Sequence, residues 1–154
     1  RYLLEYLYTN KLPAKNEHYL YAQWLMTGLA YTVTRYTEGG LYTQKAIMSV
    51  GQVTDDIWKC SAGESIPCLR SIDTRIINID SKDYLHYYIH FRAWNWFGAM
   101  PLEMAGFQML KEVHCTLISE ATGKEILPGP TVAFCKDAHV NDIEWDAAKA
   151  WLNL

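Results

Sequence analysis

The chain has 154 residues, of which 50% are hydrophobic, 14% aromatic and 20% charged, and its formal net charge is −3. This length suits one domain over residues 1–154 that buries enough apolar surface to fold without disulfides or metals. The composition excludes disordered and collagen-like chains, the absence of any Lys or Arg run disfavours nucleic acid as a partner, and no apolar stretch approaches the roughly 20 residues of a transmembrane segment.

The N-terminal part predicts a short apolar element followed by a long helix. Residues 2–8 are apolar and aromatic and predict a strand or a helical turn, which Pro13 ends. Between Asn16 and Tyr36, apolar residues recur at helical spacing with few charges among them, which predicts a helix buried nearly all round. Glycines 39 and 40 end this helix, because glycine adopts the left-handed conformation without steric cost.

The rest of the chain predicts amphipathic strands and a short terminal helix. The strand of residues 84–94 alternates most clearly, and its semi-polar face carries Tyr84, His86, Tyr88, His90, Arg92 and Trp94. Asn141 or Asp142 caps the terminal helix. Because no strand–helix–strand alternation is evident, we predict an α+β fold with an antiparallel sheet wrapped around one buried helix. The predicted strands are residues 46–53, 70–79, 84–94, 107–118 and 131–136.

Asn16, Glu17 and His18 form the best placed acid–base group in the sequence. They stand at the predicted helix start, where backbone N–H groups and the helix dipole polarise a carbonyl while Glu17 or His18 exchanges a proton. The structural alternative is that Asn16 only caps the helix and Glu17 is a favourable first-turn acid. His86 and His90 are about 13 Å apart along a strand, too far to share one ion, so we predict no metal site and no cofactor.

Two further features leave alternatives open. The segment from Trp94 to Pro101, which includes Trp96, concentrates apolar area, and it either lines a ligand pocket or an oligomer interface or folds back as core. The chain also has four cysteines, for which we expect reduced thiols, with a Cys60–Cys68 disulfide as the alternative. The other two are Cys115 and Cys135.

Both ends of the chain resemble the hot-dog fold of acyl-CoA thioesterases and dehydratases. Residues 2–9 and then Asn16-Glu17-His18-Tyr19-Leu20 are similar to that family's first strand, loop and helix start, and residues 117–124 and 131–137 are similar to its last hairpin. The resemblance implies a homo-oligomer that binds a small apolar or acyl ligand. It also implies that Glu17 acts as general base with His18 assisting, and that N–H groups at the helix start hold the thioester oxygen.

The leading functional hypothesis is therefore an acyl-thioester hydrolase or a related enzyme of small-lipid chemistry. The first alternative is a non-catalytic ligand- or protein-binding domain, similar to the cone-shaped nuclear transport factor 2-like fold. The second alternative is a disulfide-containing secreted or periplasmic interaction protein. The chain starts at Arg1 rather than Met, so the sequence alone leaves the localisation open. In the first alternative, an aromatic pocket or interface is lined by His86, Tyr88, His90, Arg92 and Trp94. The predicted ligand-binding residues also include Asn16 and Trp96.

Overall fold

Helices and strands alternate irregularly along the chain in the computed structural model, which describes residues 21–63 and 66–153. The mixture of a sheet with packed helices confirms the predicted α+β class. A single 3-10 turn, Asp142–Glu144, precedes the last helix of the described residues. The elements are helix α1 (Ala22–Glu38), strand β1 (Ile47–Ser49), helix α2 (Val53–Ser61), strands β2 (Leu69–Ile79), β3 (Lys82–Phe91) and β4 (Trp94–Asn95), helix α3 (Met100–Thr122), strands β5 (Ile126–Cys135) and β6 (Ala138–His139), and helix α4 (Trp145–Leu152).

The main sheet is mixed rather than antiparallel. Its described strands lie in the order β1-β2-β3-β5, and β2 runs antiparallel to both β1 and β3. Strands β3 and β5 run parallel, with Asp83 opposite Ile126 and Phe91 opposite Cys135. Parallel neighbours need a long crossover connection, and helix α3 provides it. The prediction of an antiparallel sheet is therefore wrong at the β3–β5 pair.

Helix α3 replaces the strand that the sequence predicted over residues 107–118. It has 23 residues, with a proline in its first turn, where the missing N–H has no acceptor within the helix. Gly123, at φ 69°, ends it in the left-handed conformation. Its buried residues recur at helical spacing and include two polar ones, which hides the helical stripe in the sequence. They are Gly106, Phe107, Leu110, Lys111, His114, Cys115 and Ile118.

Helix α1 is buried on one side only, which corrects the prediction of a helix buried nearly all round. Leu25 and Leu29 are almost fully buried, whereas Met26 and Tyr31 on the other side are 41% and 46% exposed. The helix lies close to β1 at Gly28, where an added Cβ would come within 2.7 Å of the Met48 Cγ atom. The predicted part of this helix between residues 16 and 20 is outside the described residues.

The core lies between the sheet and helices α1 and α3. The predicted alternation of residues 84–94 is confirmed over β3, because the side chains of one face are at most 4% exposed. The Phe91 ring contacts the Phe107 ring of α3 edge to face, with the centroids 6.0 Å apart. Among the described residues, no helix has both the length and the apolar character needed to cross a membrane. The buried face of β3 consists of Leu85, Tyr87, Ile89 and Phe91.

Candidate functional site: an aromatic groove

An open apolar groove of about 400 Å³ lies between the segment that follows β4 and helix α4. We call it the aromatic groove. Its volume is within the range of about 300–1,000 Å³ that is typical of ligand sites. It is lined by Trp96, Phe97, Met100, Pro101, Val140, Ala148, Trp151 and Leu152.

Two short strands bring the walls of the groove together. Strands β4 and β6 pair in parallel, and the Trp94 N–H donates to the Asp137 carbonyl at 2.8 Å. Two residues further along each segment, the Trp96 N–H donates to the His139 carbonyl, also at 2.8 Å. This ladder holds Trp96 beside Val140, the residue that follows β6, so that both line the same groove.

Asn95 organises the aromatic groove through both ends of its side-chain amide. The Oδ1 atom accepts the N–H groups of Phe97 at 3.1 Å and Gly98 at 3.2 Å, which turns the chain after β4. The Nδ2 atom donates to Glu144 Oε2 at 2.5 Å, which ties this turn to the residue before α4. Gly98 accommodates the approach, because an added Cβ would lie 2.0 Å from Glu144 Oε1.

Large apolar side chains remain exposed around the groove. Trp96 is 53% exposed and Leu152 is 55% exposed, and Trp151 reaches 76% although its ring contacts the Phe97 ring edge to face. The buried residue that the structure gives for α4 is Ala148, whose side chain is too small to anchor a helix strongly. The groove therefore presents its tryptophan rings to solvent rather than enclosing them in the core.

The described residues that line the groove include no ionisable side chain. The carboxylate of Glu103, two residues after the lining Pro101, accepts the indole N–H of Trp94. Burial raises the pKa of Glu103, and the bond from Trp94 opposes that shift. The described lining residues provide apolar contact area.

The predicted acid–base residues Asn16, Glu17 and His18 lie outside the described residues. His86, Tyr88 and His90 lie on the face of β3 away from the helices, and all three are half-buried. The His90 ring stacks on Phe134 with centroids 5.3 Å apart. The Nε2 atom of His86 is buried beside Gly129 without a hydrogen-bond partner, and burial and then the nearby Lys111 lower the pKa of His86.

The remaining predicted ligand residues occupy three different environments. The Arg92 guanidinium donates to the carbonyl oxygens of Ile66 at 2.9 Å and Pro67 at 3.2 Å, so it holds a loop. Trp94 is 5% exposed and stacks on a core phenylalanine at 4.1 Å. Of the described members of the predicted set, only Trp96 lines the aromatic groove. The structure thus does not gather the described members of this set into one pocket.

A buried polar network between α1, α3 and β3 was not predicted from the sequence. The Thr32 hydroxyl donates to the Leu29 carbonyl at 2.9 Å, so it accepts from His114 Nε2–H at 3.0 Å. The other ring nitrogen, Nδ1, then accepts the Tyr87 hydroxyl at 2.9 Å. Burial lowers the pKa of His114 to about 3, which keeps this ring neutral.

The Lys111 amine extends the polar network to the edge strand β5. Its Nζ atom donates to the Gly129 carbonyl at 2.5 Å and to the Thr131 hydroxyl at 2.7 Å, and burial lowers the pKa of Lys111. Lys111 is 1% exposed and His114 is 0% exposed, so these groups are sealed from solvent. The sealed position indicates a role in the core rather than in substrate chemistry.

The cysteines and histidines form no cluster of metal ligands among the described residues. Cys60 is an exposed free thiol, so the alternative of a Cys60–Cys68 disulfide is not realised in the structure. Cys115 and Cys135 also carry free thiols.

No protein-family model matches this chain, and no curated protein is significantly similar to it.

Proposed function

We propose that this protein is a non-catalytic binding domain that takes an apolar group of a ligand or partner into the aromatic groove. The observation that carries the proposal is an open groove with apolar walls, flanked by the exposed rings of Trp96 and Trp151. Tryptophan is enriched at binding hot spots because one side chain contributes a large, rigid apolar area. The proposal corresponds to the first alternative from the sequence, with its site at the groove.

The exposed area is sufficient for reversible binding. Covering what remains exposed of Trp96 and Trp151 would remove on the order of 300 Å² of apolar surface from water, or roughly 8 kcal/mol. Association itself costs at least about 4 kcal/mol in lost translational and rotational freedom. The difference of about 4 kcal/mol corresponds to a dissociation constant of about 1 mM from these two rings alone.

The proposal can be tested with dodecanoate as an apolar probe and the indole N–H resonances of the protein as reporters. We expect the resonances of Trp96 and Trp151 to shift on titration, whereas that of Trp24 on α1 stays in place. Leu152→Glu puts a charge into the groove and should weaken the probe's affinity at least tenfold. Tyr31→Glu adds the same charge to an exposed site on α1 and should leave it unchanged. Equal shifts at all three tryptophans would contradict the proposal.

Hydrolysis of acyl thioesters is the second candidate, favoured because an apolar groove of about 400 Å³ can hold an alkyl chain. In this candidate, Glu17 is the general base and His18 assists it, as the hot-dog resemblance implies. The test is turnover of medium-chain acyl-CoA by the wild type, Glu17→Gln and His18→Gln. A rate that is unchanged in Glu17→Gln would remove this mechanism, whereas a loss of at least a hundredfold would support it.

A further inference from the structure

We infer that the natural occupant of the aromatic groove is an amphipathic helix of a partner protein, with an apolar face and basic flanks. This inference rests on the proposed binding function and specifies the partner. An apolar helix face presents side chains at intervals of three or four residues and fits into grooves of this kind.

The apolar surface is longer than the groove itself. Trp145, Ala148 and Leu152 follow one another at the spacing of a single helix face along α4. Trp145 is 52% exposed, and Ile143, just before the helix, is 92% exposed. Near the opposite wall, Leu102 is 64% exposed. A small molecule that filled the groove would leave these side chains in water, whereas an elongated apolar face would also cover them.

The charge beside this surface favours a basic partner. The segment from residue 142 to residue 152 contains three carboxylates, Asp142, Glu144 and Asp146, against one lysine. That lysine, Lys149, already pairs with Asp146 at 3.0 Å. We call these three carboxylates the acidic rim. Lys or Arg residues that flank the apolar face of a partner helix would meet the acidic rim with complementary charge.

The inference is tested with two labelled model peptides of 18 residues that contain no aromatic residue. One has a leucine face flanked by lysines, and the other has the same leucine pattern flanked by glutamates. Fluorescence anisotropy should give a micromolar dissociation constant for the leucine–lysine peptide and at least tenfold weaker binding for the leucine–glutamate peptide. Trp151→Ala should weaken the first complex at least tenfold, whereas Tyr31→Ala, on exposed α1 surface, should not change it.

A double variant tests how much the charge of the acidic rim contributes to peptide binding. Replacing Asp142 and Asp146 by asparagine removes two charges of the acidic rim without touching the residues that line the groove. We expect this double variant to bind the leucine–lysine peptide several-fold more weakly and with a smaller salt dependence than the wild type. Equal binding of the two peptides by the wild type would overturn the inference.

Other occupants give different results. If dodecanoate shifts the Trp96 and Trp151 resonances but neither peptide binds, the partner helix is excluded while the proposed function stands. If neither probe acts on these residues, both proposals fail. A concentration-dependent dimer that Trp151→Ala converts to a monomer, without peptide binding, would identify a second copy of this chain as the occupant and overturn the helix inference.

Discussion

His114 accepts one hydrogen bond and donates another inside the core, and the accepted bond depends on a neutral ring. Its Nδ1 atom accepts the Tyr87 hydroxyl, so a second proton on the ring would face a donor instead of an acceptor. Burial lowers the pKa of His114 from its ordinary value of 6.5 to about 3. Below pH 6.5 the unfolded chain therefore takes up a proton that the folded chain refuses.

This coupling predicts that stability falls as the pH decreases from about 6.5 toward 3, by up to roughly 1.4 kcal/mol per pH unit for this one group. Above pH 6.5 the ring is neutral in both states and contributes no pH dependence. We expect His114→Gln to be less stable at pH 7 but to lose less stability on acidification than the wild type. Urea unfolding at pH 7, 6, 5 and 4 measures how the free energy of unfolding of the wild type and of His114→Gln depends on pH. His139→Gln, on the short strand β6, is the control. If His114→Gln lost as much stability on acidification as the wild type, His114 would not be the cause of the pH dependence.

The cysteines differ sharply in access to reagents. Burial raises the pKa of the Cys115 thiol to about 12, and the residue is 4% exposed, whereas Cys60 is exposed at the end of α2. Because the thiolate is the reactive form, we expect iodoacetamide at pH 8 to label Cys60 within minutes and Cys115 only on unfolding. Mass spectrometry of the labelled peptides at successive times measures the order. Rapid labelling of Cys115 in native protein would show that the core around α3 opens readily.

At the scale of elements, α1 packs on β1 through a position without a side chain. An added Cβ at Gly28 would lie 2.7 Å from Met48 Cγ and 3.1 Å from Met48 Cα, and Met48 is 0% exposed. Alanine at position 28 would gain about 1 kcal/mol of helix propensity, but overpacking a buried contact typically costs about 1–3 kcal/mol. The close approach to backbone indicates that the cost is larger than the gain.

We therefore predict that Gly28→Ala lowers the free energy of unfolding by about 1–2 kcal/mol. The neighbouring exposed position provides the control, because Thr27→Ala changes propensity without a clash. In the Met48→Ala background, the Gly28→Ala substitution should cost less, because Met48 Cγ at 2.7 Å is removed, although the Cβ and Cα atoms of residue 48 remain. Chemical denaturation of the four proteins gives the coupling energy, and additive effects in this double-mutant cycle would exclude the contact with Met48 Cγ as the cause.

Helix α3 shows why part of the fold was not readable from the sequence. Its buried stripe includes Lys111 and His114, whose polar groups are satisfied by Gly129, Thr131 and Tyr87 on other elements. A polar residue in a sequence pattern normally indicates an exposed position, so Lys111 and His114 interrupted the apolar stripe at helical spacing. Residues 107–118 therefore resembled a strand. The boundary residues, a proline at 101 and a glycine at 123, were the available signs of the helix. Once α3 was missed, the parallel pairing of β5 was missed with it.

Local patterns were more informative where one face is uniformly apolar. The alternation along β3 and the presence of a terminal helix were predicted correctly, because both depend on nearest neighbours in sequence. The predicted cap at Asn141 or Asp142 was wrong, because a 3-10 turn lies there without a side-chain cap bond and α4 begins only after Glu144. The sequence also marked residues 94–101 as pocket, interface or core, and four of these residues line the groove. The other wall, formed by Ala148, Trp151 and Leu152, was not predictable, because the link from Asn95 to Glu144 joins residues 49 apart.

At the scale of the whole molecule, stability is distributed unevenly between the sheet and the groove. Strands β2 and β3 pair along most of their lengths and bury alternate side chains, whereas α4 has Ala148 as its described buried residue. A helix of 8 residues is not stable alone in water, so its tertiary contacts and the Asn95–Glu144 bond must hold it. Few buried apolar contacts favour local opening without global unfolding.

We expect this difference to be visible in hydrogen exchange, with the amides of α4 exchanging at least a hundredfold faster than those in the centre of β3. Asn95→Asp keeps the acceptor that turns the chain after β4 but loses the donor to Glu144 and places two carboxylates together. It should therefore speed exchange in α4 further and leave β3 unchanged. An occupant binds to the groove only while α4 is folded, so the leucine–lysine peptide should slow exchange there in the wild type. Protection of α4 equal to that of β3 in the unbound protein would mean that the groove is rigid and already formed.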